Sequence, residues 1–321
     1  MLTYRPLGRT GINVSTISFG SGGYNRLGQT SNPPLSETEM HRLVHTVSDL
    51  GINLFDSSPG YMDSETILGR AFKSMSRNKF FVSTRVVFSE LDTENKINYS
   101  TPKEIIDSIE NSLNCLKLNE IDIALIAASE TADFDFMINE QIPILENLRR
   151  QGKIRFLGSS ETAATDGNHS WIRAVLTTGM MDVIMIAHSM LNQSARLSVF
   201  PYCIKNGIGV MNIYSVRNIF KDSERLTKTV LLLQERNLLD DSINPNAPLN
   251  FLFKDPDIRT LVEAAYRFVV FTEGVSTAVC SAVSLPKINE NICSLAKGPL
   301  PSYLVDKLQT MFGHLSEPVG N

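Results

Sequence analysis

The most chemically loaded stretch of this chain is Asp56-Ser57-Ser58-Pro59-Gly60-Tyr61, an aspartate closing a short apolar run, a Pro-Gly turn, and a tyrosine five residues on. A phenol carried beyond a strand end in this way can donate or take a proton. Arg85 lies inside another apolar run and, as a charge on a buried strand, requires an acidic partner. Asp56 is the natural candidate, and a structural pair fits the residues as well as a catalytic one. Strand alternation puts Ser83 on the same side as Arg85. The other titratable groups read as bland. His188 closes an apolar run near Met185 and is expected to be a hydrogen-bonded structural histidine. His41 and His45 have i, i+4 spacing but no third ligand nearby, which is the pattern of a solvated helix face rather than a metal site. His169, beside Trp171, reads as loop, as do Ser129, Glu130 and Asp133. Met180, Met181, Met185 and Met190 read as core packing.

The elements that must position Asp56, Tyr61 and Arg85 follow from the hydrophobic pattern. Eight short runs, at 14–20, 53–57, 80–87, 121–127, 154–160, 183–188, 209–215 and 277–283, are almost continuously apolar. That is the signature of strands buried on both faces. Amphipathic stretches separate them. Ser36 with Glu39, and Thr101 with Glu104 behind Pro102, are capping boxes that open two helices. Further helices are expected over 142–150, 222–235, 257–272 and 285–295, the last capped by Ser284. Strand then helix, eight times at about forty residues per unit, predicts a single-domain (β/α)8 barrel, an α/β fold of the TIM type. A doubly wound sheet would want a glycine-rich phosphate turn after an early strand, and Gly20-Ser21-Gly22-Gly23-Tyr24 lacks the G-x-G-x-x-G spacing. Two features are additional: an N-terminal β-hairpin over 2–12 that would plug the barrel bottom, and a long loop after the seventh strand (217–256) that would carry a helix and lid the site.

Bulk properties narrow the partners. The net charge of -4 leaves no basic footprint for nucleic acid. No run of about twenty apolar residues predicts a membrane span, and the N-terminus carries no apolar signal segment. Cys115, Cys203, Cys280 and Cys293 are widely spaced, with no CxxC, and read as free thiols of a reducing, cytoplasmic compartment. The expected partner is a small-molecule substrate, and the expected assembly a monomer or small homo-oligomer.

The stretch from Asp56 to Ala71, with Leu7-Gly8-Arg9-Thr10-Gly11 and Ser18-Phe19-Gly20 ahead of it, resembles the aldo-keto reductase family. The resemblance runs over essentially the whole chain. Its C-terminal third, at Ala264-Ala265-Tyr266-Arg267-Phe268 and Glu273-Gly274-Val275, is similar to the aldose and galactose dehydrogenase subgroup. The resemblance implies an oxidoreductase using NADP or NAD, with a catalytic Asp, Tyr, Lys and His. Carried over, Asp56 and Tyr61 match, Arg85 stands at the lysine position, and Ala127 at the histidine position. It also implies cofactor contacts at Gly22 and Tyr24, at Ser160 and Glu161, at Tyr214 and Ser215, and at Lys287, Glu290 and Asn291. Glu161 stands where an asparagine is usual, Met185 where a glutamine is usual, and Val216-Arg217 where Pro-Leu or Ala-Leu is usual. Three functions fit this pattern: a redox enzyme of narrow, sugar-like or small-carbonyl range; a barrel turned to non-redox proton transfer such as dehydration or isomerisation; and a non-catalytic binding protein.

Overall fold

In the computed structural model, which describes residues 2–94, 96–127, 134–161 and 166–316, eight parallel strands close into a barrel. They are β1 (Ile17–Gly20), β2 (Leu54–Asp56), β3 (Phe81–Val87), β4 (Ile121–Ala127), β5 (Ile154–Ser160), β6 (Val183–Ala187), β7 (Gly209–Ile213) and β8 (Thr277–Cys280). Neighbours in sequence are neighbours in space all the way round, and β8 returns to β1 with Ala278 opposite Ile17. The (β/α)8 architecture is therefore the one the pattern predicts. Each strand is followed by a barrel helix: α1 (Glu37–Asp49), α2 (Ser64–Phe72), α3 (Pro102–Leu116), α4 (Ile142–Arg150), α5 (Ser170–Leu176), α6 (Phe200–Asn206), α7 (Leu261–Val270) and α8 (Leu285–Ala296). The capping boxes at Ser36 and Thr101 are both formed, each hydroxyl accepting from the backbone N–H three residues on.

Alternation along the strands splits the apolar residues into two cores. Outward residues such as Phe55, Val82, Val86 and Ile126 pack against the helices, in the larger one. Inward residues Leu54, Ile123, Leu125, Val183, Met185 and Met211 fill the barrel and meet Leu7, Ile12 and Val14 of the N-terminal hairpin. That hairpin pairs Tyr4–Pro6 with Asn13–Ser15. Val14 thus belongs to the hairpin and not to the first barrel strand, which starts at Ile17. The plug sits tightly: a Cβ on Gly8 would stand 2.2 Å from the Gly209 backbone nitrogen, and Gly8 holds φ +56°.

Several boundaries differ from the pattern. The helix expected over 257–272 spans Leu261–Val270, because the Thr260 side chain caps it by accepting from the Glu263 N–H. The helix after β7 forms at Ser223–Glu235, capped by Asp222. It does not lid the barrel: its apolar face, Leu226, Val230 and Leu233, is buried, and only the segment leading into it reaches the mouth. A small hairpin, Ser89–Leu91 with Ile97–Tyr99, and a final helix, Ser302–Phe312, carry no clear signal in the sequence. No helix among the described residues is long and apolar enough to cross a membrane.

Candidate active site

The C-terminal ends of the strands surround a cavity of about 930 Å³. Asp56, Tyr61 and Arg85 line one part of it, Tyr214, Ser215 and Arg217 another, and Ser281, Ser284, Lys287 and Asn291 a third. Pleat and register account for the first group. Asp56 lies opposite Ser83 in the β2–β3 ladder, and Ser83 and Arg85 project inward together. Ser83 Oγ donates to Asp56 Oδ1 at 2.8 Å, and Arg85 Nη1 donates to Asp56 Oδ2 at 3.3 Å and to the Ser57 carbonyl at 2.9 Å. The second guanidinium nitrogen, Nη2, reaches Met185 Sδ at 2.9 Å. The Arg85 side chain is 13% exposed and the Asp56 side chain 4%. Burial pushes the Asp56 carboxyl above the ordinary carboxylate range, and Arg85 opposes that push. Burial alone would lower Arg85, but Asp56 opposite holds it charged.

Two cations lie against the Tyr61 ring. The Arg85 guanidinium carbon lies 5.2 Å from its centroid and that of Arg26 lies 4.6 Å away. Burial raises the phenol above its usual value, and the positive charge of Arg85 offsets only part of the effect. Tyr61 is thus a protonated phenol across the physiological range. Gly22 faces it closely, since a Cβ there would stand 2.5 Å from Tyr61 Cε2. Gln29 ties the two loops together: its amide donates to the Arg26 carbonyl (2.7 Å), to the Tyr61 carbonyl (3.3 Å) and to Ser64 Oγ (3.0 Å), and its carbonyl accepts from the Asp63 N–H.

On the other side, Tyr214 adopts φ +62° and is 39% exposed. The Arg217 guanidinium carbon sits 3.4 Å from its ring centroid. Arg217 itself is 8% exposed, and that burial lowers its pKa. Ser215 is buried, with its hydroxyl accepting from Asn212 at 2.7 Å. Asn291 is buried and donates to Cys280 Sγ, whereas Lys287 and Glu290 are exposed on the helix α8 (Leu285–Ala296). Ser284 occupies the N-cap of α8 but makes no side-chain cap, which leaves the first backbone N–H groups of that helix without its hydroxyl. Gly22 is buried against Tyr61, and Tyr24 is 75% exposed at the rim.

Two expected contacts lie elsewhere. Ser160 and Glu161 are not among the residues lining the cavity. The Glu161 side chain is fully buried, pairing with His169 Nδ1 at 2.7 Å and accepting from the Ala187 N–H. It therefore holds the end of β6 and has no carboxylate oxygen to offer a nicotinamide amide. His169 lies in the loop just before the helix Ser170–Leu176, as expected, but is buried there (1% exposed), with Nε2 2.8 Å from Ser194 Oγ. His188 is structural: it stacks on Phe268, and burial lowers its pKa to about 3. Ala127 ends β4 opposite Ser160 and supplies no donor. Ser129, Glu130 and Asp133 lie outside the described residues. Among the described residues no three His, Cys, Asp or Glu gather as a metal site. Arg26, Gln29 and the Arg85–Met185 contact were not legible beforehand. Arg217 had one signal, its departure from the Pro-Leu pattern.

The chain belongs to the aldo/keto reductase family, whose pattern matches residues 16–311. It is 31% identical over 213 residues to L-galactose dehydrogenase of Arabidopsis thaliana, covering 65% of this chain and 63% of that one. It is 30% identical over 221 residues to the NADH-specific methylglyoxal reductase of Escherichia coli K12, covering 65% of this chain and 66% of that one. The matched stretch thus spans a little under two thirds of each of these relatives. In fold, it resembles an aldo-keto reductase from Bacillus halodurans in its holo form, with a TM-score of 0.71, 22% identity, and coverage of 97% of this chain and 96% of that one.

Proposed function

We propose that this protein is a nicotinamide-dependent oxidoreductase of unusual, narrow substrate range, acting on a small carbonyl or alcohol or a sugar-like metabolite. The observation that carries the reading is the convergence of Asp56, Tyr61 and Arg85 in one cavity that continues to the N-terminus of α8. The residues fit a dinucleotide in part. The open backbone N–H groups at the start of α8, with Lys287 beside them, suit a phosphate. Tyr214 and Ser215 border the middle of the cavity, and Gly22 and Gly23 its wall. NADP and NAD are both compatible with this set. When bound, the nicotinamide supplies or takes the hydride at the reacting carbon.

The protein's own part is proton transfer and orientation. Tyr61 holds a proton on its hydroxyl and delivers it to the carbonyl oxygen in the reductive direction. Arg85 cannot relay a proton as an amine might, because a guanidinium stays protonated. Its role is electrostatic: it favours negative charge developing on Tyr61 and is itself fixed by Asp56. With Ala127 at the end of β4, the substrate oxygen lacks one donor. Losing such a donor typically costs about two to three decades in rate. A substrate must therefore bring its own orienting contacts, which is why we infer a narrow range.

Two observations favour a non-redox reading. Arg217 covers one face of Tyr214, and Glu161 is turned inward, so the nicotinamide end departs furthest from the family pattern. In that reading Tyr61 and Arg85 perform an elimination or isomerisation. Titration with NADPH and NADH, followed by nicotinamide fluorescence, separates the two. Saturable binding, with turnover that Tyr61→Phe lowers by about 10²–10⁴-fold, is the expected result. No binding at millimolar cofactor sinks the redox reading, and binding without turnover on a broad carbonyl and alcohol panel points to a binding protein.

A further inference from the structure

We propose that the substrate carries an anionic group, a carboxylate or a phosphate, close to its reacting carbon, and that Arg26 and Arg217 bind it. The inference rests on the cavity being the substrate site of the activity proposed above.

The argument starts from the charge balance of the cavity wall. Arg85 is neutralised by Asp56. Glu263, the other buried acid on the wall, is taken by Arg267 at 3.2 Å and Lys297 at 2.7 Å. Arg26 and Arg217 have no such partner. Among the described residues neither makes a side-chain hydrogen bond or ion pair. Each instead lies against an aromatic face, Arg26 over Tyr61 at 4.6 Å and Arg217 over Tyr214 at 3.4 Å. A guanidinium held over a ring rather than in an ion pair keeps N–H groups free for the bidentate fork that matches a carboxylate or phosphate.

Position supports the same reading. Arg217 is 8% exposed, so its charge is largely withdrawn from water, and the acid whose field reaches it, Glu161, is ion-paired with His169 instead. Arg26 belongs to a loop with left-handed backbone at Arg26, Leu27 and Gly28. Gln29 bonds that loop to the Tyr61 carbonyl and Ser64. Arg26 is therefore fixed beside the proton-donating phenol rather than waving in solvent. An anion held there lies next to the group that Tyr61 protonates. It also supplies the orienting contact that Ala127 does not. Phosphate of the cofactor has its own place at the start of α8, beside Lys287.

The test compares matched pairs on the full-length protein: pyruvate with its methyl ester, and glyceraldehyde 3-phosphate with glyceraldehyde. Wild type is expected to favour the charged member of at least one pair by 10–100-fold in kcat/KM. The carboxylate pair and the phosphate pair distinguish the two anions. Arg26→Gln and Arg217→Gln should each erase most of that preference through KM, and Arg26→Gln should leave the NAD(P)H dissociation constant unchanged within twofold. A readout free of turnover is protection: pyruvate or inorganic phosphate should raise the Tm of wild type and not of the double variant. Equal use of charged and neutral members overturns the proposal while leaving the oxidoreductase reading intact. So does a loss of cofactor binding in either variant with substrate preference retained. If no cofactor binds at all, the oxidoreductase reading fails, and anion protection lost in the double variant still upholds the anion site.

Discussion

Arg85 on β3 and Met185 on β6 meet across the barrel, guanidinium nitrogen to thioether sulfur at 2.9 Å. In the sequence these are two separate departures from the family pattern. In the fold they are one: the longer arginine extends past Asp56 and needs something soft at its far end, and a polarisable, weakly accepting sulfur fills that place. Arg85 is therefore embedded in the core of the barrel as well as in the cavity wall.

Restoring the usual pair should restore ordinary chemistry. Arg85→Lys combined with Ala127→His is expected to raise turnover of short neutral aldehydes by about two to three decades, the worth of one donor aimed at the substrate oxygen. Steady-state assays on such aldehydes check it. No gain in a folded double variant would mean that the site differs from a reductase site in more than these two positions.

Gly22 offers a test of how tightly Tyr61 is held. Its hypothetical Cβ would stand 2.5 Å from Tyr61 Cε2 and 3.1 Å from the hydroxyl. Gly22→Ala must therefore displace the phenol. A shift of about 1 Å costs on the order of 10²-fold in rate. We expect that loss in kcat with a small change in Tm. Full activity in the variant would show that the ring position is not critical.

The Asp56–Arg85 pair carries stability as well as charge. Asp56→Asn keeps the shape and leaves the buried guanidinium without its carboxylate. Breaking a buried pair on one side costs about 3–5 kcal/mol. Urea unfolding monitored through Trp171 should show this as a lower midpoint at unchanged slope.

His188 sets an acid limit. Its folded pKa is lowered to about 3 from 6.5 by burial, so the unfolded chain binds a proton that the folded chain refuses. Its contribution is fully present above pH 6.5 and is lost as pH falls from 6.5 toward 3. The slope is up to about 1.4 kcal/mol per pH unit. His188→Phe, which keeps a ring between Phe200 and Phe268, should flatten the decline of Tm over that window. An unchanged slope would place the acid sensitivity on other groups.

The barrel was legible because buried parallel strands write themselves as apolar runs and capping boxes mark where helices begin. Asp56, Tyr61 and Arg85 were legible because strand ends and turn residues fix where they emerge, and alternation fixes their side. What escaped was what chain order does not encode. Arg26 and Gln29 lie in a loop of no period, shaped by left-handed backbone and by side chains that reach another loop. Glu161 follows a strand that points at the mouth, yet His169, eight residues on, draws its carboxylate inward. That choice depends on this pairing and on the Ala187 N–H from the next strand, neither of which strand alternation encodes.

The hairpin that fills the barrel bottom bears on access. With Leu7, Ile12 and Val14 closing that end, the cavity is a vessel with one mouth. Ligands therefore reach it from the side of the strand C-terminal ends, and three apolar side chains at the opposite end keep the barrel axis from serving as a second entrance.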